Sequence, residues 1–251
     1  MTTHLITQNL SKNFDGLLAV DRVNISFQKK KIHAIIGPNG AGKTTLINLL
    51  SGEISPSLGC INFKNKNLAN MPAYTISQLG IGRSYQKTNI YPDFTCWQNC
   101  WLGAQSRLSS SMRFFKPAIK YEKVQRQTKQ ALALCGLEKR VDTLASELSY
   151  GEQRQLEISM MLATDPELLL LDEPLGGMGI SETQNMIELI KRLARERTII
   201  LIEHDMDAVF ALADTLTVMV NGKVLATGTP SEISNSKDVR DAYLGTEKYD
   251  Q

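Results

Sequence analysis

No stretch of this chain of 251 residues is apolar for long enough to cross a bilayer. A helical span needs about 20 apolar residues, and runs such as residues 168–171 and 198–202 fall far short. The first residues hold no apolar segment of the secretory type, so no signal peptide is expected. The segment after position 231 is too short for a regulatory domain. Cysteine is scarce, with four residues at positions 60, 96, 100 and 135 and no C-x-x-C pair. Cys96 and Cys100 stand one helical turn apart among Trp97, Trp101 and Leu102, with no histidine nearby. That set is too poor for a metal centre and reads as reduced thiols in a packed cytosolic protein. Strong charge is missing too: a net +2 argues neither for nor against nucleic acid. There is no internal repeat and no low-complexity tract. What remains, at 42% apolar and 22% charged residues, is one globular domain, or a domain with a subdomain, able to build its own core.

The most informative segment is residues 37–44, GPNGAGKT, which fits the phosphate-binding pattern G-x-x-x-x-G-K-[ST]. It follows an apolar run at 32–36 and opens into a helical pattern from Thr45 to residue 50. Gly37, Gly40 and Gly42 let the backbone turn tightly, while Pro38, Asn39 and Ala41 fill the loop, so that successive N–H groups form an anion nest. The helix that follows adds its positive end. Lys43 supplies charge for the β- and γ-phosphates and Thr44 a hydroxyl for Mg²⁺.

Around this loop the patterning predicts an α/β protein. Residues 5–10, 23–27 and 32–36 read as strands, with the basic run 29–31 as a hairpin tip. Residues 60–63 form a candidate strand. Residues 87 to about 147 change character: buried-strand runs are absent and helical spacing prevails, notably at 121–137 up to Gly136. This predicts a helical insert in a core formed by about 1–86 and 148–251. The β–α–β pattern resumes at 168–171, 182–194 and 198–202. Asn221-Gly222 between two strand patterns signals a type I′ hairpin.

Two strand ends carry chemistry. LLLLDEP at 168–174 is a buried parallel-type strand ending in carboxylates, and ligands of open α/β sheets sit at such ends. Asp172 is placed to hold Mg²⁺, and Glu173 to orient or deprotonate an attacking water. The strand at 198–202 ends in Glu203-His204, where a neutral imidazole can reach a γ-phosphate. Gln86, at the junction into the insert, can touch the metal or the water, or be a plain surface residue. LSYGE at 148–152 contains an S-x-x-E capping box, Ser149 and Glu152. It is either simply a helix start or, by the same geometry, a second phosphate site.

GPNGAGKT, Gln86, LSYGEQ, LLLLDEP and His204, in this order and spacing, resemble the ATP-binding cassette (ABC) ATPases over essentially the whole chain. The resemblance implies a P-loop NTPase core with an N-terminal antiparallel β subdomain and a helical insert. It also implies head-to-tail pairing with a second cassette, identical or related. ATP would lie between one P-loop and the partner's signature, here Ser149, Tyr150, Gly151 and Glu152. On the same ground Glu173 is the catalytic carboxylate, His204 the switch histidine, Gln86 the Q-loop residue and Phe14 the aromatic platform for adenine. Phe14–Leu17, residues 80–86, 148–157 and 203–213 and Tyr243-Leu244-Gly245 are similar to the ATPase subunits of importers for branched-chain amino acids and for urea and amides. Membrane permeases would then be the partners, with a periplasmic or extracellular solute-binding protein engaged indirectly, and the chain would sit peripherally at the cytoplasmic face. No nucleic-acid partner is expected. The alternatives are an ATPase of lipopolysaccharide export, a soluble ABC protein outside transport, and a P-loop kinase. Three positions depart from the pattern. Tyr150 and Glu152 replace the commonest signature Gly and Gln, and Tyr150 is expected to point away and be dispensable; Gly179 stands where relatives carry the D-loop Asp. Tyr91, Phe94, Trp97 and Trp101, within 87–115, are candidate permease contacts or, equally, packing residues of the helical insert. The basic set Arg107, Arg113, Lys116, Lys120 and Lys123 reads as a solvated or membrane-adjacent face.

Overall fold

A computed structural model describes residues 2–108 and 121–244. Arg113, Lys116, Lys120 and Gly245 therefore lie outside the described residues. The first two strands, β1 (Thr3–Phe14) and β2 (Leu17–Gln28), are longer than the apolar alternation suggests. Polar residues such as Lys12 and Asn13 occupy the exposed outer ends, and register shifts break the period of two. Asp15 and Gly16 close the hairpin with φ of 44° and 103°, the double positive φ of a type I′ turn. These strands join β4 (Leu58–Phe63) and β5 (Lys66–Asn67) in an antiparallel sheet of order β2-β1-β4-β5.

The second sheet has the order β10-β9-β3-β8-β7-β6. It contains β3 (Ile32–Ile36), β6 (Ile81–Arg83), β7 (Leu168–Asp172), β8 (Thr198–Ile202), β9 (Thr215–Val220) and β10 (Lys223–Gly228). All its pairings are parallel except β9 with β10. That last pair turns through Asn221 and Gly222 at φ 49° and 77°, as the sequence signal requires. The basic run at 29–31 is not a hairpin tip. β2 and β3 lie in different sheets, and the turn, with Lys30 at φ 57°, carries the chain from one to the other. Apolar alternation identifies two neighbouring strands but not whether they pair.

The central strands read as unbroken apolar runs because both faces are covered. Leu168 and Leu170 of β7 enter the core beneath the antiparallel sheet, with Leu46, Ile47 and Leu50 of α1 (Lys43–Ser51). Leu169 and Leu171 point the other way, into a helical core. Ile200 and Ile202 of β8 pair with the first face, Ile199 and Leu201 with the second. Each such side chain contributes about 1.5–3 kcal/mol by leaving water, so a shift of one residue in register would expose nothing yet misplace every strand end. The helical core joins α3 (Cys96–Gln105), α4 (Glu122–Leu134), α5 (Tyr150–Leu162) and α6 (Ile180–Ala194). Short helices α2 (Ala73–Gln78), α7 (Met206–Leu212), α8 (Pro230–Asn235) and α9 (Lys237–Leu244) complete the described chain. Cys96, Cys100 and Cys135 are buried and free. Burial pushes the Cys96 and Cys100 thiols up to about 11 and about 12, so they are packing groups. Among the described residues no helix is long and apolar enough to cross a membrane.

Candidate functional site

The loop between β3 and α1 is folded around its own lysine. Lys43 Nζ donates to the carbonyl oxygens of Gly37 (2.7 Å) and Pro38 (3.0 Å). Ala41 N–H closes the turn on Pro38 O at 3.1 Å. Gly42 caps α1 in the left-handed region, at φ 96°, with no side-chain cap. The first N–H groups of the helix are thereby left free for an anion. A Cβ on Gly42 would lie 2.3 Å from the Ala19 carbonyl oxygen of β2. Gly222 N–H donates to Ala41 O (3.0 Å) and Asp21 N–H to Gly222 O (2.8 Å). The antiparallel sheet and the β9–β10 turn thus buttress the loop from outside. Asn39, Gly40 and Thr44 are exposed and Thr45 is half-buried. Phe14, at the hairpin end of β1, is 43% exposed, with Lys12 Nζ 5.0 Å from its ring centre.

Adjacent parallel strands deliver the other polar groups. Asp172, the last residue of β7, is buried, with Arg83 of β6 4.0 Å away. Burial pushes its carboxyl above the ordinary range, against the pull of Arg83 and Lys43. The same proximity works on Lys43: burial lowers its pKa, while Glu173 and Asp172 oppose that. Glu173 is held at φ 49°, a left-handed conformation that costs a non-glycine residue on the order of 1–3 kcal/mol. Its N–H donates to Ile202 O of β8 (2.9 Å). Gln86 Nε2 donates to Glu173 Oε2 at 3.2 Å, and His204 Nδ1 lies 4.0 Å from Glu173 Oε1. Lys43, Asp172, Gln86, Glu173 and His204, scattered over more than half the chain, therefore converge on one mouth.

Glu203 is a neighbour whose role the sequence does not reveal. Only 1% exposed, it accepts from Leu175 N–H (2.9 Å) and His204 N–H (3.2 Å), pinning the loop after Glu173 to the turn bearing His204. Burial raises its pKa despite these donors. Arg83 is a second, donating to Ser51 Oγ (2.6 Å) and Asn48 Oδ1 (2.5 Å) of α1. Arg154 and Glu157 form a third, a buried pair beneath Tyr85 and Gln86. An arginine or glutamate in a helical pattern reads as surface; only its partners reveal it as buried.

The signature segment lies at the start of α5. Ser149 caps the helix and forms the reciprocal box with Glu152. Ser149 Oγ also donates to Glu182 Oε1 (2.9 Å), and Gly151 N–H to the same oxygen (3.2 Å). Glu182 in turn caps α6 through Gly179 N–H at 3.3 Å. These donors hold its carboxyl below the ordinary range. A Cβ on Gly151 would meet the Glu182 carboxyl carbon at 2.7 Å. A Cβ on Gly179 would meet nothing within 4 Å, so no contact within the chain demands glycine there. Tyr150 is 41% exposed, yet its side chain is not free. Its hydroxyl accepts from Arg154 Nη2 (3.1 Å) and Nε (3.3 Å), and its ring stands against Gly177.

In the helical insert, Tyr91 and Phe94 are exposed and stacked, with ring centres 5.4 Å apart. Trp97 and Trp101 pack against the helical core instead. Arg107 is no solvated charge: it donates to Thr164 O (3.0 Å) and Ser77 O (2.6 Å), fastening α3 to the core. Lys123 is exposed.

A P-loop at the carboxyl end of β3, a carboxylate at the end of β7 with a second directly after it, and a capped helix start carried on a separate helical layer define an ATP-binding cassette. The chain belongs to the ABC transporter ATP-binding family, whose family model, described as ABC transporter, matches residues 20–176. A second model, described as branched-chain amino acid ATP-binding cassette transporter, matches residues 223–249. As a member the chain is an ATP-binding and ATP-hydrolysing subunit of a transporter. It is 37% identical to the high-affinity branched-chain amino acid transport ATP-binding protein LivG of Escherichia coli K12 over 255 residues, covering 98% of this chain and 99% of that one. It is 34% identical to the corresponding protein BraF of Pseudomonas aeruginosa over 250 residues, 96% and 97% of the two chains. Among solved structures, the ADP conformation of an ATP-binding cassette of an ABC transporter superposes with a TM-score of 0.88 at 30% identity, over 98% of this chain and 100% of that one. A nucleotide-free cassette gives 0.86 at 29%, over 96% and 99%.

Proposed function

We propose that the chain powers an importer for branched-chain amino acids or related small polar solutes such as urea and amides. It acts from the cytoplasmic face, through separate permease subunits fed by a solute-binding protein. The reading is supported by the resemblance to LivG and BraF along nearly their whole length. The observation that carries the chemistry is the meeting of Gln86, Glu173 and His204 beside Lys43 and Asp172. Residues 1–86 and 148–251 serve as the core with its β subdomain, and 87–147 as the helical subdomain.

In this reading the adenine stacks on Phe14. The loop from Gly37 to Thr45 cradles the phosphates, and Lys43 leaves its carbonyl partners for the β- and γ-oxygens. Thr44, Gln86 and Asp172 offer hard oxygen donors, and the Asp172 carboxyl is buried with Arg83 no nearer than 4.0 Å; this set fits Mg²⁺. When bound, the ion supplies positive charge to the phosphate oxygens. Glu173 accepts a proton from the water that attacks the γ-phosphorus in line, releasing ADP and phosphate. Gln86 orients that water, and His204 donates a hydrogen bond to the γ-phosphate. The far side of the nucleotide is closed by Ser149, Tyr150, Gly151 and Glu152 of a second cassette, so hydrolysis requires a dimer. The exposed Tyr91–Phe94 stack is the candidate permease contact.

The test separates binding from chemistry. Glu173→Gln is expected to bind ATP and accumulate as an ATP-bound dimer by size-exclusion chromatography, while Lys43→Ala fails to bind. Hydrolysis by Glu173→Gln at the wild-type rate would remove Glu173 from the role. Uptake of labelled leucine and of labelled urea by cells with and without the chain decides the solute class.

A further inference from the structure

Arg154 is buried, its side chain 5% exposed beside Glu157 at 7%. A guanidinium has five N–H donors in a rigid fork, and here every one has an acceptor. Nε and one Nη2 hydrogen go to the Tyr150 hydroxyl, at 3.3 and 3.1 Å. The other Nη2 hydrogen goes to the Gln86 carbonyl. Nη1 donates to the Tyr85 carbonyl (2.8 Å) and to Glu157 Oε2 (3.1 Å). Glu157 Oε1 accepts the Tyr85 N–H at 3.1 Å. The pair thus grips Tyr85, the residue before Gln86, at both its N–H and its carbonyl, and the same planar fork holds the side chain of Tyr150.

A pair that only stabilised the helical layer would need no acceptors at these two places. Gln86 ends at Glu173, in the chain's own mouth. Tyr150 opens the helix whose first turn carries Ser149 and Gly151. We propose that Arg154 is a positioning residue that makes the Q-loop and the signature of one chain move as a unit. A displacement of Gln86 at one nucleotide is thereby passed to the face presented to the other. This rests on the reading above, in which Gln86 and the signature serve different ATP molecules. The linkage is short: one guanidinium spans residues 68 and 4 positions away in sequence. It is also stiff, because moving either acceptor leaves a buried donor unpaired.

The experiment is a double-mutant cycle on the assembled transporter, with kcat and KM for ATP. Tyr150→Phe removes one hydroxyl from a partly exposed ring. It leaves two donors of the buried Arg154 unpaired and so should lower the melting temperature modestly, leave the ATP affinity of the dilute chain unchanged, and lower kcat about three- to tenfold at constant KM. Arg154→Lys keeps the charge beside Glu157 but cannot span the acceptors, and should reproduce the effect. Gln86→Ala should lower kcat on its own. Combined with Tyr150→Phe it should lower kcat little further, departing at least about threefold from the product of the single effects. Multiplying effects, or a wild-type kcat in Tyr150→Phe, would overturn the relay while leaving the site assignment intact. If Gln86→Ala and Gly151→Asp both hydrolyse ATP normally, the underlying reading falls, and the relay with it.

Discussion

Replacing Phe14 with alanine separates a platform for adenine from a piece of the core. The ring is 43% exposed at the end of a hairpin. Its partner across the turn, Leu17, is more exposed still, at 69%. Among the ring contacts, the polar one is Lys12, 5.0 Å from the ring centre, and a cation over an exposed ring contributes about 0.5–1 kcal/mol. Loss of the ring should therefore cost the nucleotide-free chain less than about 1 kcal/mol. In a domain of this size that lowers the melting temperature by no more than about 4 °C. Stacking of a base on an aromatic ring contributes about 1–3 kcal/mol, so the Kd for ATP should rise roughly five- to 150-fold. Titration calorimetry with ATP, beside thermal unfolding without it, reads both numbers. An unchanged Kd, with a drop of more than about 5 °C in the melting temperature, would make Phe14 a structural residue and refute the assignment.

Three further outcomes follow from contacts within the chain. Glu182 occupies Ser149 Oγ and Gly151 N–H, the donors that a partner's γ-phosphate needs in the proposed dimer. Glu182→Gln keeps the shape and the cap on Gly179 but removes the competing charge. In the Glu173→Gln background it should lower the ATP concentration at which dimers form, without changing ATP affinity in the dilute chain; weaker dimerisation would show that Glu182 supports the signature instead. Gly42→Ala places a Cβ against the Ala19 carbonyl at a φ of 96° and should cost more than about 1 kcal/mol, seen as a melting temperature lower by at least about 2 °C together with lost ATP binding; a variant as stable as the parent would contradict the buttressing of the loop. His33 is buried and accepts Gln28 N–H at 2.8 Å, and burial depresses its pKa below the ordinary 6.5. The folded state then binds fewer protons than the unfolded chain, so the stability present above about pH 6.5 is lost as the pH falls through the depressed value. The fall in melting temperature between about pH 7.5 and about pH 5.5 should shrink in His33→Gln, and an equal fall in both proteins would exclude His33 as the source.

Residues whose partners lie close in sequence were readable. The P-loop, the Ser149–Glu152 box and the Asn221-Gly222 turn each close within a few residues, and their chemistry is written in order along the chain. The Asp15-Gly16 turn carried the same kind of signal and would have fixed the length of the first hairpin. Lys29–Lys31 misled because a sharp turn between two strands looks the same whether they pair or diverge into separate sheets. The contact of Tyr150 was not readable because its partner, Arg154, is one helical turn away and appears as an ordinary exposed position until the Q-loop is laid against it.

The sequence by itself determined the kind of machine. Continuous apolar strands must be buried on both faces, and glycine, lysine and carboxylate at their ends must then gather at one edge of a parallel sheet. Only the tertiary structure decided which groups meet. It set Gln86 on Glu173 across 87 residues, seated Glu182 on the signature, left Phe14 part-exposed and gave all five Arg154 donors a partner. The physical reason is that apolar burial is non-directional and leaves its mark as a pattern, whereas a hydrogen bond between distant residues depends on positions and angles that emerge once the layers have packed.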